Sequence, residues 1–284
     1  MRIYPIDTGF FKLDGGAMFG VVPKIIWEKL YPADERNMIA MSMRCLLIED
    51  GSRLILIDNG IGDKQDAKFL SHYYLHGSHS LSASLAKYGF GADDITDVLL
   101  THLHFDHCGG SVVRQAERLV PAFRHATYWS NQRHWDWAID PNDRERASFL
   151  PENILPLAQS GQLRMIPTPA NPGQGLTNFA QDINIRFVFG HTEAMMLPQI
   201  TYKDKTIVFV SDLIPTEAHL PVPYLMAYDM FPLTTLEEKK SFLQHAVNMD
   251  FILFFEHDPR VECCTLKLTE KGVRCGEQFL LAEI

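Results

Sequence analysis

Two stretches of the chain repeat the same order of apolar runs and polar residues. The first, MRCLLIEDGSRLILIDNG, has two strand-like runs that flank Asp50 and Gly51, and its second run ends at Asp58. The second, PQITYKDKTIVFVSDL, has two such runs around a polar turn, and its second run ends at Asp212. Because a short polar turn between strand-like runs is typical of a β-hairpin, both stretches are predicted to be hairpins that end in an aspartate.

The repeat continues beyond each aspartate with a helical segment and a further strand. Residues 80–89 (SLSASLAKYG) precede the strand ITDVLLTH, which ends at His102, and residues 234–249 (TTLEEKKSFLQHAVNM) precede DFILFFEH, which ends at His257. The aspartate and the histidine are 44 residues apart in the first half (58 to 102) and 45 in the second (212 to 257). The pattern predicts two similar β-β-α-β units whose strand ends carry polar side chains to one shared edge.

The apolar runs LILID, DVLLT, TIVFVS and FILFF are nearly continuous rather than alternating. Strands of this kind are buried on both faces, so helices should cover the sheets. Two sheets with outer helices form a four-layer α/β sandwich. We therefore predict a single α/β domain over residues 1–284, with an insertion at about 125–180, where Pro- and Gly-rich connections follow a short strand and an amphipathic helix.

Composition limits the environment and the partners of the chain. Its 46% hydrophobic and 21% charged residues are ordinary for a globular protein, and no segment approaches the roughly 18 apolar residues of a membrane helix. The N-terminus has no signal-peptide pattern, and the five cysteines show no CxxC spacing, which together favour a cytoplasmic, reducing location. A net charge of −9 without any basic block disfavours nucleic acid. We expect a small-molecule substrate and a possible homodimer.

The run THLHFDHCGG, at residues 101–110, places three histidines and an aspartate within six positions. Neutral imidazole nitrogens and carboxylate oxygens suit zinc and other first-row divalent ions. A polar loop of solvated histidines is the alternative. Because only 12 of the 284 residues are histidine, this density is improbable by chance. The run is therefore predicted to be a metal-binding loop that follows a buried strand.

The hexapeptide HLHFDH resembles the HxHxDH signature of the metallo-β-lactamase superfamily. Further matches to its ligands are His191 in FGHTE, Asp212 at the end of TIVFVSD and His257 at the end of FILFFEH. The resemblance extends over the whole chain, and the seven-ligand pattern is specific. It implies an αββα sandwich of two similar halves, in agreement with the repeat.

The resemblance also implies two divalent metal ions, zinc in the first place, with manganese, cobalt or iron as alternatives. The implied ligands are His102, His104 and His191 for one ion, Asp106, His107 and His257 for the other, and Asp212 as a bridge. Asp58 matches Asp212 in the repeat and is expected to orient a ligand histidine through its second ring nitrogen, a turn-forming aspartate being the alternative.

The implied function is metal-dependent hydrolysis, in which a hydroxide shared by the two metals attacks a carbonyl or phosphoryl centre. Asp106 and Asp212 are predicted to act in catalysis, Asp106 by guiding a proton to the leaving group. An ester or lactone with an apolar portion is favoured, as for N-acyl-homoserine lactonases. Phosphotriester hydrolysis is the first alternative, an iron-dependent dioxygenase or other oxidoreductase of the same fold is the second, and a non-catalytic binding role is the third.

The sequence departs from the lactonase pattern at one position that bears on substrate binding. Several lactonases have a tyrosine three residues after the bridging aspartate, where this chain has Pro215. Tyr224 and Tyr228 are the candidates to supply its contact, and the run SDLIPTEAHLPVPYLMAYDMFP resembles the branch of methyl-parathion-type hydrolases. The predicted substrate-binding residues are Met18, Phe19, His219 and Tyr224, with core packing as the alternative for each.

Overall fold

The structure is a computed structural model, and it describes residues 1–169 and 175–284. Residues 170–174, which belong to the segment predicted as an insertion, lie outside the described residues. The strands are β1 (Arg2–Asp14), β2 (Met38–Asp50), β3 (Arg53–Ile57), β4 (Asp97–Leu99), β5 (Val112–Gln115), β6 (Arg118–Pro121), β7 (Thr127–Asn131), β8 (Leu163–Ile166), β9 (Thr177–Ala180), β10 (Ile183–Val188), β11 (Met195–Tyr202), β12 (Lys205–Phe209), β13 (Ile252–Phe254), β14 (Cys263–Thr269) and β15 (Gly272–Phe279).

Helices separate these strands along the chain. They are α1 (Gly15–Phe19), α2 (Lys24–Trp27), α3 (Ala67–Ser71), α4 (Leu81–Lys87), α5 (Phe105–Cys108), α6 (Gln132–Ile139), α7 (Pro151–Gln159) and α8 (Pro232–Asn248). Within the described parts of the chain, none of them has both the length and the apolar composition needed to cross a membrane. The chain divides into a first unit, Met1–Phe11 with Met43–Thr168, and a second unit, Lys12–Ser42 with Pro169–Ile284.

The first unit contains the first predicted β-β-α-β pattern. Strands β2 and β3 form an antiparallel hairpin in which Asp50 pairs with Arg53, and Gly51 takes a left-handed conformation (φ 60°) in the two-residue turn. The chain then passes through α4, which begins after Ser80, where the side-chain oxygen accepts a hydrogen bond from the Ala83 amide. It returns as β4, parallel to β3, within a sheet of order β1-β2-β3-β4-β7-β8.

The second unit repeats this order of elements in a seven-stranded sheet of order β15-β14-β13-β12-β11-β10-β9. Strands β11 and β12 form the hairpin, and its turn residues Lys203 and Asp204 both have positive φ, as the common two-residue hairpin turns require. Helix α8 begins at Pro232, a residue favoured in the first helical turn, and leads to β13, parallel to β12. The internal repeat predicted from the sequence is thus present within each unit.

The helices cover the sheets because the central strands are apolar on both faces. Ile55, Leu56 and Ile57 of β3 are all fully buried. In the first unit the core includes Leu85 of α4 and Leu157 of α7. The core of the second unit is built in the same way, with Val208 of β12, Leu253 of β13, and Phe242, Leu243 and Ala246 of α8. The continuous apolar runs are therefore explained by burial from both sides.

The described part of the segment at 125–180 contributes strands to the sheets. Strand β7 pairs in parallel with β4, and β8 pairs in parallel with β7. Helix α6 begins after Asn131, where the side-chain oxygen accepts a hydrogen bond from the His134 amide. On the second-unit side, β9 pairs with β10. This segment therefore belongs to the sheet architecture of both units.

Gly109, in the loop that carries the histidine cluster, leaves no room for a side chain. A methyl group at this position would overlap the carbonyl oxygen of Ile61, although the φ of −60° suits any residue. We expect Gly109→Ala to lower the free energy of unfolding by about 3 kcal/mol, since neither backbone can yield without displacing the loop. Urea denaturation followed by circular dichroism measures the change.

Gly91→Ala is the matched control for this substitution. Gly91 has a φ of −120°, and the nearest atom to an added methyl group would be Asp94 Oδ2, at 3.7 Å. We expect its unfolding free energy to stay within about 0.5 kcal/mol of the parent value. Equal stability of the two variants would contradict the close approach of the chain at Gly109.

Candidate metal centre

The first set of predicted ligands follows the end of β4 in the first unit. His104 occupies the N-cap position of the one-turn helix α5, which contains the next two predicted ligands, Asp106 and His107. All four predicted ligands between positions 102 and 107 are buried, although histidine and aspartate side chains are usually hydrated. Burying a polar side chain is costly unless the side chain is paired. These four residues therefore need either hydrogen-bonding groups of the protein or a bound cation as partners.

The ring nitrogens of the first set point toward one another. His102 Nε2 lies 3.0 Å from His104 Nδ1, and the His102 and His107 ring centroids are 3.9 Å apart. His107 Nε2 is 3.8 Å from Asp106 Oδ2. These distances bring three nitrogens and a carboxylate oxygen to neighbouring positions, which is the donor set that zinc and similar ions use.

Asp58 holds one histidine of this set in place. It lies directly after β3 with a positive φ of 55°, a conformation that aspartate tolerates better than most residues. Its Oδ1 accepts a hydrogen bond from the Thr101 amide at 2.8 Å, and its Oδ2 accepts one from Thr101 Oγ1 at 2.6 Å. The same Oδ2 lies 3.2 Å from His107 Nδ1. This contact directs His107 Nε2 away from Asp58, the arrangement expected of a carboxylate that orients a ligand histidine.

Glu145 plays the same part for His104, and the sequence reasoning missed it. Glu145 Oε1 lies 2.8 Å from His104 Nε2, and Glu145 Oε2 accepts a hydrogen bond from Trp137 Nε1 at 2.6 Å. The carboxylate is almost fully buried. Because His104 Nε2 is engaged by Glu145, Nδ1 is the nitrogen that faces His102 and remains for a metal ion. Glu145 stands in the run NDRERAS, which has no local metal-site signature.

The second set of predicted ligands lies in the second unit and centres on one carboxylate. Asp212 follows β12, directly after Ser211, which has a positive φ of 41°. Its Oδ2 is 3.1 Å from His191 Nε2, and its Oδ1 is 3.1 Å from His257 Nε2. A single aspartate therefore presents one oxygen to each of two buried histidines.

The second nitrogen of each of these histidines is also held by the protein. His191 Nδ1 lies 3.1 Å from Asp229 Oδ1, and His257 Nδ1 donates to the Ser42 carbonyl oxygen at 2.8 Å. Burial opposes the charged form of His191, but the neighbouring Asp212 and Asp229 carboxylates raise its pKa to about 10. The surroundings of His191 thus strongly favour a positive charge, which a divalent ion would also supply.

Asp229 was not predicted as a site residue, and its effect on His191 can be tested. We expect Asp229→Asn to weaken metal binding about 10- to 100-fold, because the amide loses the charge that orients and polarises the imidazole. Equilibrium dialysis against zinc with a competing chelator measures the affinity. Asp136→Asn, at an exposed position on α6, is the control and should leave it unchanged. Unaltered zinc affinity in Asp229→Asn would contradict the orienting role.

The residues predicted to bind substrate form one packed group in the second unit. The His219 ring stacks on Phe19 with centroids 4.5 Å apart, and its Nε2 donates to the Met18 carbonyl oxygen at 2.8 Å. The Thr216 hydroxyl lies 2.7 Å from His219 Nδ1, and the Tyr224 ring stands edge-on to Phe19 at 6.4 Å. Burial lowers the pKa of His219 to about 3, so its ring is neutral. His219 therefore fixes the turn at Met18 and Phe19, and contact of this group with substrate stays a prediction.

A cavity of about 580 Å³ in the first unit is separate from the ligands. It lies beside β1, the segment 75–92 and the β5–β6 hairpin, and Phe10, Leu85 and Phe123 form part of its apolar wall. None of the predicted metal ligands is among its lining residues. The cavity is therefore distinct from the histidine cluster, although Asn59, which follows Asp58, lines it.

The donors of both sets fit divalent metal ions. Each set consists of buried imidazole nitrogens and carboxylate oxygens, and every member belongs to a group of side chains whose donor atoms lie close enough together to hold an ion. Four of the histidines have their other ring nitrogen engaged by a carboxylate or a carbonyl oxygen, which fixes the ring as in known metal sites. Nitrogen and carboxylate donors of this kind suit zinc, manganese, cobalt and iron.

Comparison with known proteins agrees with this geometry. Residues 44–247 match the sequence model of the Metallo-beta-lactamase superfamily, a range that includes the first set of ligands, His191 and Asp212. A probable metal-dependent hydrolase from Staphylococcus aureus is 29% identical, with a TM-score of 0.86 over 98% of this chain and 96% of that chain.

Two lactonase structures share the fold at lower identity. AidC, a dizinc quorum-quenching lactonase in complex with a product, is 22% identical, with a TM-score of 0.78 over 98% of this chain and 95% of that chain. A mutant of AiiA from B. thuringiensis, with N-decanoyl-L-homoserine at its active site, is 18% identical, with a TM-score of 0.68 over 90% and 93%. The α/β fold predicted from the sequence is confirmed, and the chain belongs to the metallo-β-lactamase superfamily of metal-dependent hydrolases.

Proposed function

We propose that the chain hydrolyses a small lactone or ester with an apolar portion, and that two divalent ions serve the reaction. The observation that carries the proposal is the Asp212 carboxylate, with one oxygen 3.1 Å from His191 Nε2 and the other 3.1 Å from His257 Nε2. A carboxylate in this position is suited to bridge two metal ions, because each of its oxygens lies beside a different histidine. Family membership adds support, since its matched range includes Asp212.

The proposed ligand assignment follows the superfamily pattern. One ion would be held by His102, His104 and His191, the other by Asp106, His107 and His257, with Asp212 shared. Zinc is the first candidate, because histidine nitrogens with aspartate oxygens are among its commonest ligands. Bound there, the ions would lower the pKa of water toward about 7 and polarise the substrate carbonyl oxygen.

The protein's own residues have two proposed tasks. Asp58, Glu145 and Asp229 keep the histidine rings in the orientation that leaves one nitrogen of each for a metal ion. Asp106 is proposed to hold a proton on its way to the leaving group. Loss of an orienting carboxylate should therefore weaken metal binding, whereas loss of the Asp106 proton path should slow turnover.

An apolar portion in the substrate is favoured by aromatic residues beside Asp106. Phe105 precedes it on α5, and the rings of Phe69 and Tyr73 lie 5.4 Å and 4.6 Å from the Phe105 ring. Aromatic surfaces of this kind bind alkyl and acyl chains by burying them from water. AidC and AiiA were each solved with an acyl-homoserine, and this chain is similar to both in fold.

A substrate panel with zinc-loaded protein tests the proposal. The panel contains N-acyl-homoserine lactones of short and long acyl chain, aryl esters and phosphotriesters. We expect lactones to be hydrolysed with kcat/KM at least about 100-fold above phosphotriesters, and longer acyl chains to be preferred. Faster hydrolysis of phosphotriesters than of lactones would contradict the proposed substrate class and favour phosphotriesters instead. Oxygen consumption by the iron-loaded protein, without hydrolysis of any member of the panel, would contradict a hydrolase and favour an iron-dependent oxidoreductase.

A further inference from the structure

Helix α8 directly follows the segment 221–231, which contains Asp229. Asp229 Oδ1 lies 3.1 Å from His191 Nδ1, and its Oδ2 accepts a hydrogen bond from the Met226 amide at 3.1 Å. The Met230 amide donates to the His191 carbonyl oxygen at 3.0 Å. The direction in which the His191 ring points therefore depends on how the segment 221–231 is held.

Lys239 of α8 holds the middle of this segment. Its side chain is fully buried, and its Nζ donates a hydrogen bond to the Tyr224 carbonyl oxygen at 2.6 Å. In the described parts of the chain, no other acceptor lies within hydrogen-bond distance of this ammonium. A hydrogen bond from a charged donor in a dry interior is stronger than one between neutral groups. The contact therefore restrains the segment a few residues before Asp229.

The burial of the Lys239 ammonium opposes folding. Burial lowers the pKa of Lys239 to about 7, and the negative charge of Asp229 counteracts only part of that fall. A buried charge can often be replaced by an apolar side chain of similar volume without loss of stability. The lysine is therefore better explained by its contact with Tyr224 than by a contribution to the stability of the core.

Glu238, the residue before Lys239 on α8, holds the backbone that leads into His191. Its Oε1 accepts a hydrogen bond from the Phe189 amide at 2.7 Å, and its Oε2 accepts one from the Gly190 amide at 3.0 Å. These two amides directly precede His191 in the chain. Adjacent residues of one helix therefore fasten both the backbone of the histidine and the segment that supplies its carboxylate partner.

We infer that Glu238 and Lys239 are positioning residues for the metal centre, which together set the orientation of His191. Glu238 acts through the backbone before His191, and Lys239 acts through the segment that carries Asp229. The inference rests on the proposed function, since it takes His191 to bind an ion, and it names two residues that act on this ligand without touching it. A ring held in one direction loses less entropy when an ion binds, so the metal is bound more tightly.

Lys239→Met is the first test, because methionine keeps an unbranched apolar side chain and removes the ammonium. We expect the affinity for zinc, measured by equilibrium dialysis against a competing chelator, to fall about 10-fold. The urea midpoint of the metal-free protein should be no lower than that of the parent, because a buried charge is lost. A residue needed only for stability would instead lower the midpoint and leave the zinc affinity of the folded protein intact. Lys240→Met removes the same charge from an exposed position of α8 and should change neither quantity.

Glu238→Gln tests the second positioning residue. A glutamine side chain has one acceptor oxygen and an amino group that cannot accept, so it can satisfy only one of the two backbone amides. We expect the zinc affinity to fall about 10-fold. Glu237→Gln, at the exposed neighbouring position, is the matched control and should keep the parent affinity.

A double-mutant cycle tests the route from Lys239 through Asp229. Once the Asp229 carboxylate is gone, holding its segment should matter little. The zinc affinity of the double variant Asp229→Asn, Lys239→Met should therefore lie within about twofold of that of Asp229→Asn alone. A loss in the double variant equal to the product of the two single losses would overturn this route.

Hydrogen exchange separates failure of this inference from failure of the proposed function. In the metal-free protein, the Met230 amide, which donates to the His191 carbonyl oxygen, should exchange at least about 10-fold faster in Lys239→Met than in the parent. The measurement needs neither zinc nor substrate, so it decides the matter even if the parent binds no zinc or hydrolyses no member of the panel. Exchange of Met230 at the parent rate in Lys239→Met would overturn the inference. So would parent zinc affinity in both Lys239→Met and Glu238→Gln.

Discussion

Asp212→Ala is expected to reduce turnover by at least about 1,000-fold and to lower the metal content of the purified protein. The substitution removes the carboxylate that lies 3.1 Å from both His191 Nε2 and His257 Nε2. Without it, the two imidazoles lose the negative charge that pairs them with a cation, and metal sites with fewer ligands bind more weakly. Atomic emission spectroscopy and lactone hydrolysis measure the two effects on the same sample.

Glu237→Ala is the control for Asp212→Ala. Glu237 is an exposed carboxylate on α8, so its loss should change neither metal content nor turnover. A circular dichroism spectrum of Asp212→Ala that equals the parent spectrum would show that the fold persists. Full activity in Asp212→Ala would contradict the ligand assignment, since the proposed reaction depends on this carboxylate.

Metal removal is expected to abolish hydrolysis completely and to destabilise the fold. Chelation would leave Asp58 and Asp106 buried beside His107 in the first unit, and Asp212 buried beside two histidines in the second, with no cation to balance their charge. An ion present at 100 to 1,000 times its dissociation constant stabilises the folded state by about 3–4 kcal/mol, so the melting temperature should fall when it is removed. Activity and differential scanning calorimetry, before and after dialysis against a chelator, measure both changes.

Zinc added back to the chelated protein should restore both the hydrolytic activity and the melting temperature. Magnesium is the control cation, because it prefers oxygen donors in octahedral geometry and retains its waters. We expect it to restore neither turnover nor the melting temperature. A chelated protein that is shown to be free of metal and yet hydrolyses lactones at the parent rate would contradict metal-dependent chemistry.

The sequence was sufficient for the repeat and for the residues that each strand end carries. The hairpin at Asp50 and the strand ending before Asp58 depend on local turn and strand preferences, which a single stretch of sequence contains. The histidine-rich run was recognisable because its members lie within six positions. Its geometry in the first unit, with His102 Nε2 3.0 Å from His104 Nδ1, depends on the one-turn helix α5 that follows.

The sequence was not sufficient for the residues that support the histidines. Glu145 is 41 positions from His104, and Asp229 is 38 positions from His191. Neither stands in a motif, and many other carboxylates are equally spaced from a histidine. A pairing of this kind arises when packing brings two distant segments together, so no local pattern indicates it.

The identity and order of the predicted ligands were determined by the sequence, because ligand chemistry is a property of the side chain and strand ends are encoded locally. The tertiary structure decided which nitrogen of each histidine is engaged by the protein: Asp58 takes His107 Nδ1, whereas Glu145 takes His104 Nε2. It also placed His219 in the core against Phe19. Those choices depend on hydrogen bonds and packing between residues far apart in the chain, and only the folded backbone brings them within reach.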